Sequence, residues 1–404
     1  MGYLYLIQIL RLILPLSLLS ILTDVLKADQ YGVYVYTLSC AAWMSIFVEY
    51  GFNISATRRI AESDEVVNQR STVVQTQAAK LILSVISSIF LVWALYASSV
   101  YETNSLWAFA AWILGVLMGL MPNYYYQGRS QLKAVAITEV TAGIFIVAFT
   151  TLLIRDSSKF WCLGIILLVA RLSAWYYLQR KMMNDLGIRY GEFLSLTNGM
   201  ISLRDGWRIF LVQAAASIYT SFNVVLLGVT SDSNAVAAYG SSERLVRAGL
   251  SFIAQATNAI FPHFNRMKIE NPEKLKNARV FTLIAFVFGS FIAAGIIHAV
   301  APYASTYLFG GKFPQIDRTL QWMAYVVPAI AISNVLAFHY LVVDRKENLL
   351  NAVVFSAVPL SLTAGYFLSK HYGALGMAAA WVAVEWYVSC ALIIILTFGF
   401  KRSK

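Results

Sequence analysis

Four cations sit inside stretches of sequence that are otherwise apolar: Arg11, Lys80, Arg171 and Arg247. A charge at the centre of a bilayer costs about 2.5 to 3.5 kcal/mol on insertion scales, so one that is kept there marks an ion partner or a pathway. The pattern is fullest around Arg247. Glu243, Arg247, Ser251, Gln255, Asn258 and Pro262 follow one another at steps of three or four residues, which puts them on one face of a helix. Arg247 falls about ten residues into that helix, roughly 15 Å deep at about 1.5 Å per residue. Glu243, one turn away, either pairs with it to lock the helix to a neighbour or balances it while it lines a cavity that attracts an anion. Arg244, one residue around the helix, is a second cavity group or extends its stem to the surface.

The other candidates divide in the same way. Gln8, Arg11 and Pro15 share a face of the first apolar stretch, where Pro15 removes a backbone hydrogen bond and bends the helix, while Arg11 lines a cavity or snorkels. Lys80 stands near the inner end of its stretch, where an ammonium can also snorkel; Arg171 stands deeper. The carboxylates at depth, Glu49, Glu139, Glu243 and Glu385, are ion-pair partners or proton carriers. Gln213, Ser217, Thr220 and Asn223, with Gln255 and Asn258, offer the hydrogen bonds that sugar hydroxyls need, although such groups also join membrane helices to each other. Of the four histidines only His339 lies deep enough to relay a proton.

These residues are positioned by an apolar chain. Of 404 residues 59% are hydrophobic and 13% charged, against about 25% charged in a soluble domain, which excludes a soluble globular protein. At about 20 apolar residues per span the sequence predicts about twelve transmembrane helices, near 3–23, 31–52, 74–98, 105–126, 134–154, 160–180, 207–229, 237–262, 280–300, 319–342, 348–368 and 374–399. The first of these carries Arg11 and lacks a basic start and a small-residue cleavage site, so it reads as a retained helix.

Cations alternate between loops. Arg58, Arg59, Arg70, Arg129, Lys133, Arg180, Lys181, Arg266, Lys268, Arg345 and Lys346 fall on one side, with the C-terminal tail, and few fall on the other. The positive-inside rule makes the first side cytoplasmic and puts both termini there. The net charge of +11 is spread over these short loops, which argues for topology and anionic lipid and against nucleic acid. The polar loop 182–205 parts the chain into two expected six-helix bundles, 1–190 and 191–404, of like orientation. Cys40, Cys162 and Cys390 lie in apolar stretches without metal spacing. No phosphate-binding loop or nucleophile elbow is present in the sequence, so neither a cofactor, a metal nor an enzymatic reaction is expected.

Three helix ends carry a family resemblance. Tyr50-Gly51-Phe52-Asn53 followed by Ser55-Ala56-Thr57-Arg58, the run Pro122-Asn123-Tyr124-Tyr125-Tyr126-Gln127-Gly128, and Ala238-Tyr239-Gly240 with Ser242-Glu243-Arg244 resemble the Wzx-type O-antigen flippases of the polysaccharide transport family. The resemblance implies an all-α integral membrane protein of the multidrug/oligosaccharidyl-lipid/polysaccharide (MOP, MATE-like) fold, with two six-helix bundles around a central cavity. It implies an undecaprenyl-pyrophosphate-linked oligosaccharide as substrate, moved between the leaflets of a bacterial inner membrane by alternating access. A proton or sodium gradient as driver and contact with polysaccharide polymerase machinery follow from the same likeness. Flippases of this kind commonly keep cations in the helices that hold Arg11 and Arg247. Guanidinium forks suit such a role, because they match phosphate oxygens with paired hydrogen bonds.

Two rivals are defined by the same residues. A cation-coupled multidrug exporter of the same fold would carry cationic substrates, which a cavity rich in arginine repels. An O-antigen polymerase or membrane glycosyltransferase needs a large outer loop bearing catalytic groups, and the longest loop here is expected inside.

Overall fold

In a computed structural model the chain is described over residues 2–63, 65–311, 313 and 315–399, and the regular elements among them are all helical. The chain folds into two compact units, Met1–Ser217 and Ile218–Lys404. The first unit holds α1 (Gly2–Val25), α2 (Ala28–Glu49), α3 (Phe52–Ala61), α4 (Val66–Ile86), α5 (Ser88–Ala97), α6 (Ser99–Glu102), α7 (Ser105–Leu120), α8 (Asn123–Gly128), α9 (Leu132–Leu153), α10 (Phe160–Leu186) and most of α11 (Leu196–Ser221). The second holds α12 (Asn223–Thr230), α13 (Ser233–Glu270), α14 (Pro272–Phe309), α15 (Ile316–Met323), α16 (Val326–Asn334), a π-helical segment Val335–Val342 and α17 (Glu347–Gly399). The polar loop 182–205 is docked on the first unit. Arg70 pairs with Glu192 at 2.6 Å, and Arg59 donates to the Ser202 hydroxyl at 3.2 Å.

This is a multi-pass membrane protein. By length and hydropathy eight helices among the described residues can cross a bilayer, nine if α11 and α12, parted at Phe222, form one span. The difference from the expected twelve has physical causes. Helix α17 counts once although Gly373, at φ 57° and ψ −131°, breaks it into two arms that carry the stretches 348–368 and 374–399. Helix α13 is left out because Glu243, Arg244 and Arg247 interrupt its first half and Gln255, Asn258 and His263 its second. A helix of that kind survives in lipid only where its polar groups are satisfied by protein or face a watery cavity.

Inside a membrane no hydrophobic force drives helices together, so small residues that allow close approach set the packing. Helix α7 supplies Gly115 and Gly119, one turn apart, against α2. A Cβ at Gly119 would lie 2.5 Å from the Val48 Cβ, and one at Gly115 would lie 2.9 Å from the Ala41 carbonyl oxygen. Where α2 meets α3 the backbone turns through two left-handed residues, Tyr50 (φ 52°) and Gly51 (φ 76°). Tyr50 stacks on Phe210 with ring centroids 4.3 Å apart. A side chain at position 51 would meet Ile209 at 2.9 Å. The Tyr-Gly of the family motif is thereby a turn that only a residue without a Cβ completes.

The second unit is latched at the ends of α13, α14 and the π segment. Arg279 donates through Nε to the His339 carbonyl at 2.7 Å and through Nη2 to Asp344 at 2.9 Å, and its guanidinium lies 4.9 Å from the Tyr340 ring centroid. Lys268 donates to the Val343 carbonyl at 2.6 Å and pairs with Asp344 at 3.3 Å. His339 itself is buried. Its Nε2 faces the Thr257 carbonyl at 3.3 Å, which requires the proton on Nε2, and Nδ1 has no hydrogen bond. A single carbonyl contact is an anchor, and it supplies no second partner for the proton relay considered from sequence.

Two outcomes follow for stability. Gly119→Val forces Val48 aside, so overpacking of about 1 to 3 kcal/mol is expected. The purified variant should melt lower than wild type, and Val48→Ala should restore part of the loss. At Asp344, burial opposes the charge, but the hydrogen bonds and charges of Arg279 and Lys268 outweigh it and hold the carboxyl below its ordinary range. A carboxyl depressed below its unfolded value of about 3.9 stabilises the fold above that value and loses the effect as pH falls through the folded one. Asp344→Asn should therefore lower the melting temperature at pH 7, with the gap to wild type closing in melts carried below about pH 4.

Candidate functional site

The polar stripe of α13 brings its deepest members into one cluster of the second unit. Arg247 donates through Nε and Nη2 to the same oxygen of Glu243, at 2.9 and 2.6 Å, and Nη2 also donates to the Thr220 carbonyl. That carbonyl is at the C-terminal end of α11, where a helix exposes unpaired oxygens and favours a cation. The guanidinium rests 5.2 Å from the Trp381 ring centroid, and the Trp381 indole donates to Glu385 at 3.2 Å. Tyr239 and Glu385 are close enough to act on Arg247 electrostatically. Glu243 is 10% exposed and Glu385 is buried, whereas the Arg247 side chain keeps 39% of its surface open. One guanidinium is thus paired with one carboxyl and within electrostatic reach of a second. The three charges sum to −1 with both carboxyls ionised and to zero when one holds a proton.

The sequence candidates around this cluster separate. Asn223 is buried beside Tyr239, and its amide nitrogen lacks a well-formed hydrogen bond. Arg244 is half-buried next to the cluster, and Gln255 and Asn258 are exposed further along α13. Three members are not given their place by sequence pattern. Thr220 is expected to offer its hydroxyl, and it acts here through its backbone oxygen, which no side-chain pattern reports. Tyr239 stands out in sequence only as a motif residue. Trp381 carries a weak signal, four residues before Glu385, a spacing that places the two on one helical face.

A second cluster forms in the first unit, at the Tyr-Gly turn. The Lys80 ammonium does not snorkel: the residue is fully buried, donates to the Met121 carbonyl at 3.0 Å and lies 4.9 Å from the Tyr124 ring centroid. Pro122, which lacks an N–H and disfavours helix before it, ends α7 there, and Lys80 meets a carbonyl at that end. Glu49 accepts the Asn53 N–H at 2.5 Å, capping α3, and accepts from Gln213 Nε2 at 3.4 Å. Lys80 and Glu49 also attract each other through space. Three oxygens near this turn have no hydrogen bond: Asn53 Oδ1, Asn123 Oδ1 and Gln213 Oε1. Both N-terminal family motifs meet at this point.

Arg171 and Glu139 form a third group, an ion pair of 2.9 Å between α10 and α9 with 23% and 30% of the side chains exposed. The Arg11 side chain lies outside the described residues, as does that of Gln8. Among the described residues no group of three or more histidine, cysteine, aspartate or glutamate side chains could hold a metal.

Comparison with known proteins bears on these clusters. A family model described as polysaccharide biosynthesis protein matches residues 1–268. A "Putative O-antigen transporter" of Shigella dysenteriae is 24% identical over 419 residues, covering 99% of this chain and 98% of that protein. One of the same description from Escherichia coli (strain K12) is 23% identical over 402 residues, covering 97% and 94%. Among solved structures, the lipid II flippase MurJ in an inward closed conformation aligns with a TM-score of 0.71 at 12% identity, covering 97% of this chain and 87% of that one. An inward-facing multidrug resistance MATE family transporter of the MOP superfamily aligns with a TM-score of 0.70 at 15% identity, covering 96% and 94%. The fold is therefore that of the MOP transporters.

The geometry makes Glu243 and Arg247 energetically coupled. Removing either partner strands the other, so Glu243→Ala and Arg247→Ala should each destabilise the protein. The double variant should lose at least about 1 kcal/mol less than the sum of the two. Unfolding in detergent, read by tryptophan fluorescence for all three variants, measures the coupling; simple additivity would mean that the pair does not hold α13.

Proposed function

Because the chain belongs to the polysaccharide biosynthesis protein family, we propose that it is a flippase for a lipid-linked oligosaccharide, the carrier being undecaprenyl pyrophosphate. The repeat unit would be an O-antigen unit, crossing from the cytoplasmic to the periplasmic leaflet of the bacterial inner membrane by alternating access. Both termini of the chain would be cytoplasmic. The names of the curated relatives and the MOP fold support the reading, and one observation carries it: the Arg247 guanidinium, neutralised by Glu243 yet open over two fifths of its side chain.

The chemistry runs as an exchange of partners. A pyrophosphate brings about two negative charges into a medium of low dielectric, where they need a cation that is already inside. Arg247 offers one without an unpaired charge in the empty site, because Glu243 and the Thr220 carbonyl occupy its donors. When the phosphate takes the fork, Glu243 loses its partner, and a proton taken up by Glu243 or by Glu385 would remove one of the negative charges gathered there. Release on the far side would return the proton and restore the pair. In this scheme the proton leaves with the lipid and offsets one of its negative charges. The inside-negative membrane potential or an ion gradient drives the remaining charge outward, and Arg11 would assist Arg247. Asn223, Gln255 and Asn258 offer hydrogen bonds to sugar, while the Lys80–Glu49 cluster holds the first unit's helix breaks in place. Contact with polymerase machinery would come after release.

Arg247→Ala at wild-type protein level should abolish O-antigen display on lipopolysaccharide gels of a flippase-null strain. Arg247→Lys, which keeps the charge and loses the fork, should retain a fraction. Full display by Arg247→Ala would rule out the phosphate role, and resistance to cationic drugs on expression would favour the exporter instead.

A further inference from the structure

The first unit has a lateral groove away from both clusters, between α9 and α10. Its volume is about 830 Å³. Helix α9 starts and α10 ends at the same membrane face, so Lys133 and Lys181 stand together at the mouth of the groove with Asp185. Two positive charges and one negative line the mouth, and Arg129 adds a further positive charge behind Asp185. The Asp185 carboxylate is turned to the Tyr125 hydroxyl, 3.3 Å away, which Arg129 also meets. Deeper in, the walls are Ile137, Ala142, Phe145 and Ala174, with the ring of Tyr177 at the edge.

The hydroxyls in the walls are already used. Thr138 donates to the Ala134 carbonyl at 2.8 Å, Thr141 to Ile137 at 2.7 Å and Ser173 to Ala170 at 3.0 Å. None of them demands a donor or acceptor from an occupant, so the walls accept hydrocarbon without leaving a polar hydrogen stranded. Only 22% of the apolar window of α9 is buried in protein, and Ile137 and Tyr177 are exposed, so the groove opens toward lipid.

We propose that this groove binds one anionic phospholipid, its phosphate between Lys133 and Lys181 and the first carbons of its chains against Ile137 and Phe145. Charge decides the occupant. A phosphodiester with a neutral headgroup carries one negative charge and meets a mouth whose balance is positive. A zwitterionic phospholipid brings its own ammonium beside the two lysines and gains nothing from them. Basic grooves between transmembrane helices at the cytoplasmic side select anionic headgroups for this reason, and the cation bias of the loops puts this mouth on that side. The occupied groove would brace α9, against whose Gly143 the Leu14 side chain of α1 packs. None of this depends on what the protein transports.

The test is native mass spectrometry of the full chain in mild detergent with equal amounts of phosphatidylglycerol and phosphatidylethanolamine. Wild type should retain phosphatidylglycerol several-fold over phosphatidylethanolamine. K133Q/K181Q should retain both alike, and K133R/K181R should keep the preference. Thr141→Trp, which fills the groove and alters no charge, should lower phosphatidylglycerol retention several-fold, so the result does not hang on one variant's folding. An unchanged preference in K133Q/K181Q or in Thr141→Trp would overturn the proposal. So would retention of undecaprenyl pyrophosphate in preference to phosphatidylglycerol that K133Q/K181Q abolishes, since the groove would then belong to the transported lipid.

Discussion

A helix broken inside lipid leaves N–H and C=O groups that no water can reach, and each unmet group costs several kcal/mol. Much of this structure is an answer to that constraint. Lys80 donates to the Met121 carbonyl where Pro122 ends α7. Glu49 accepts the Asn53 N–H where α3 begins after the Tyr50-Gly51 turn. Arg279 and Lys268 take the carbonyls of His339 and Val343 at the end of the π segment, and Arg247 takes that of Thr220 where α11 stops. Cations meet helix C-terminal ends and the carboxylate meets an N-terminal end, which is the arrangement the helix dipole favours. The intramembrane charges and the helix breaks are therefore largely one feature, and each charge earns part of its place by satisfying backbone.

Breaks of this kind also permit movement. A continuous helix moves as a rod, whereas a segment held by one side chain can shift when that side chain changes partner. In the first unit Lys80 and Glu49 hold the α2–α3 turn and the end of α7, so the two N-terminal family motifs meet in a single joint. The Tyr50–Phe210 stack carries that joint to α11. In the second unit the Lys268–Asp344–Arg279 latch ties α13 and α14 to the π segment at one end, and Arg247 ties α13 to the end of α11 some twenty residues earlier along the same helix, about 30 Å away at about 1.5 Å per residue.

Sequence periodicity reveals what lies within one element and is silent on contacts between elements. The Glu243–Arg247 pair was legible because an i,i+4 spacing fixes it. The helical class and the apolar stretches were legible for the same reason. Arg171 and Glu139 were each visible, but nothing across their separation of 32 positions announces that two antiparallel helices set them 2.9 Å apart. Lys80 looked able to snorkel because its stem is long; its burial depends on where Pro122 leaves a carbonyl, which only packing decides. Trp381 and Thr220 complete the Arg247 cluster from distant segments, one through a ring face and one through a backbone oxygen. The stretch 237–262 was read as a span in spite of its charges, whereas mean hydropathy alone leaves α13 out of the count.

The two charge clusters differ in how open they are. Lys80 is sealed, its ammonium bonded to a carbonyl and covered by the Tyr124 ring, so no ligand reaches it without unfolding the joint. Arg247 uses Nε and Nη2 on Glu243 and Thr220 but lies at a surface open enough to be approached. A ligand that competes for it must offer more than the single carboxylate it displaces. A doubly charged phosphate group does so, and a neutral sugar does not. The carboxylate that is displaced remains in the low-dielectric site, where an unpaired charge is costly unless it binds a proton. Glu243 is thus the competitor that any anionic ligand proposed for Arg247 would have to displace.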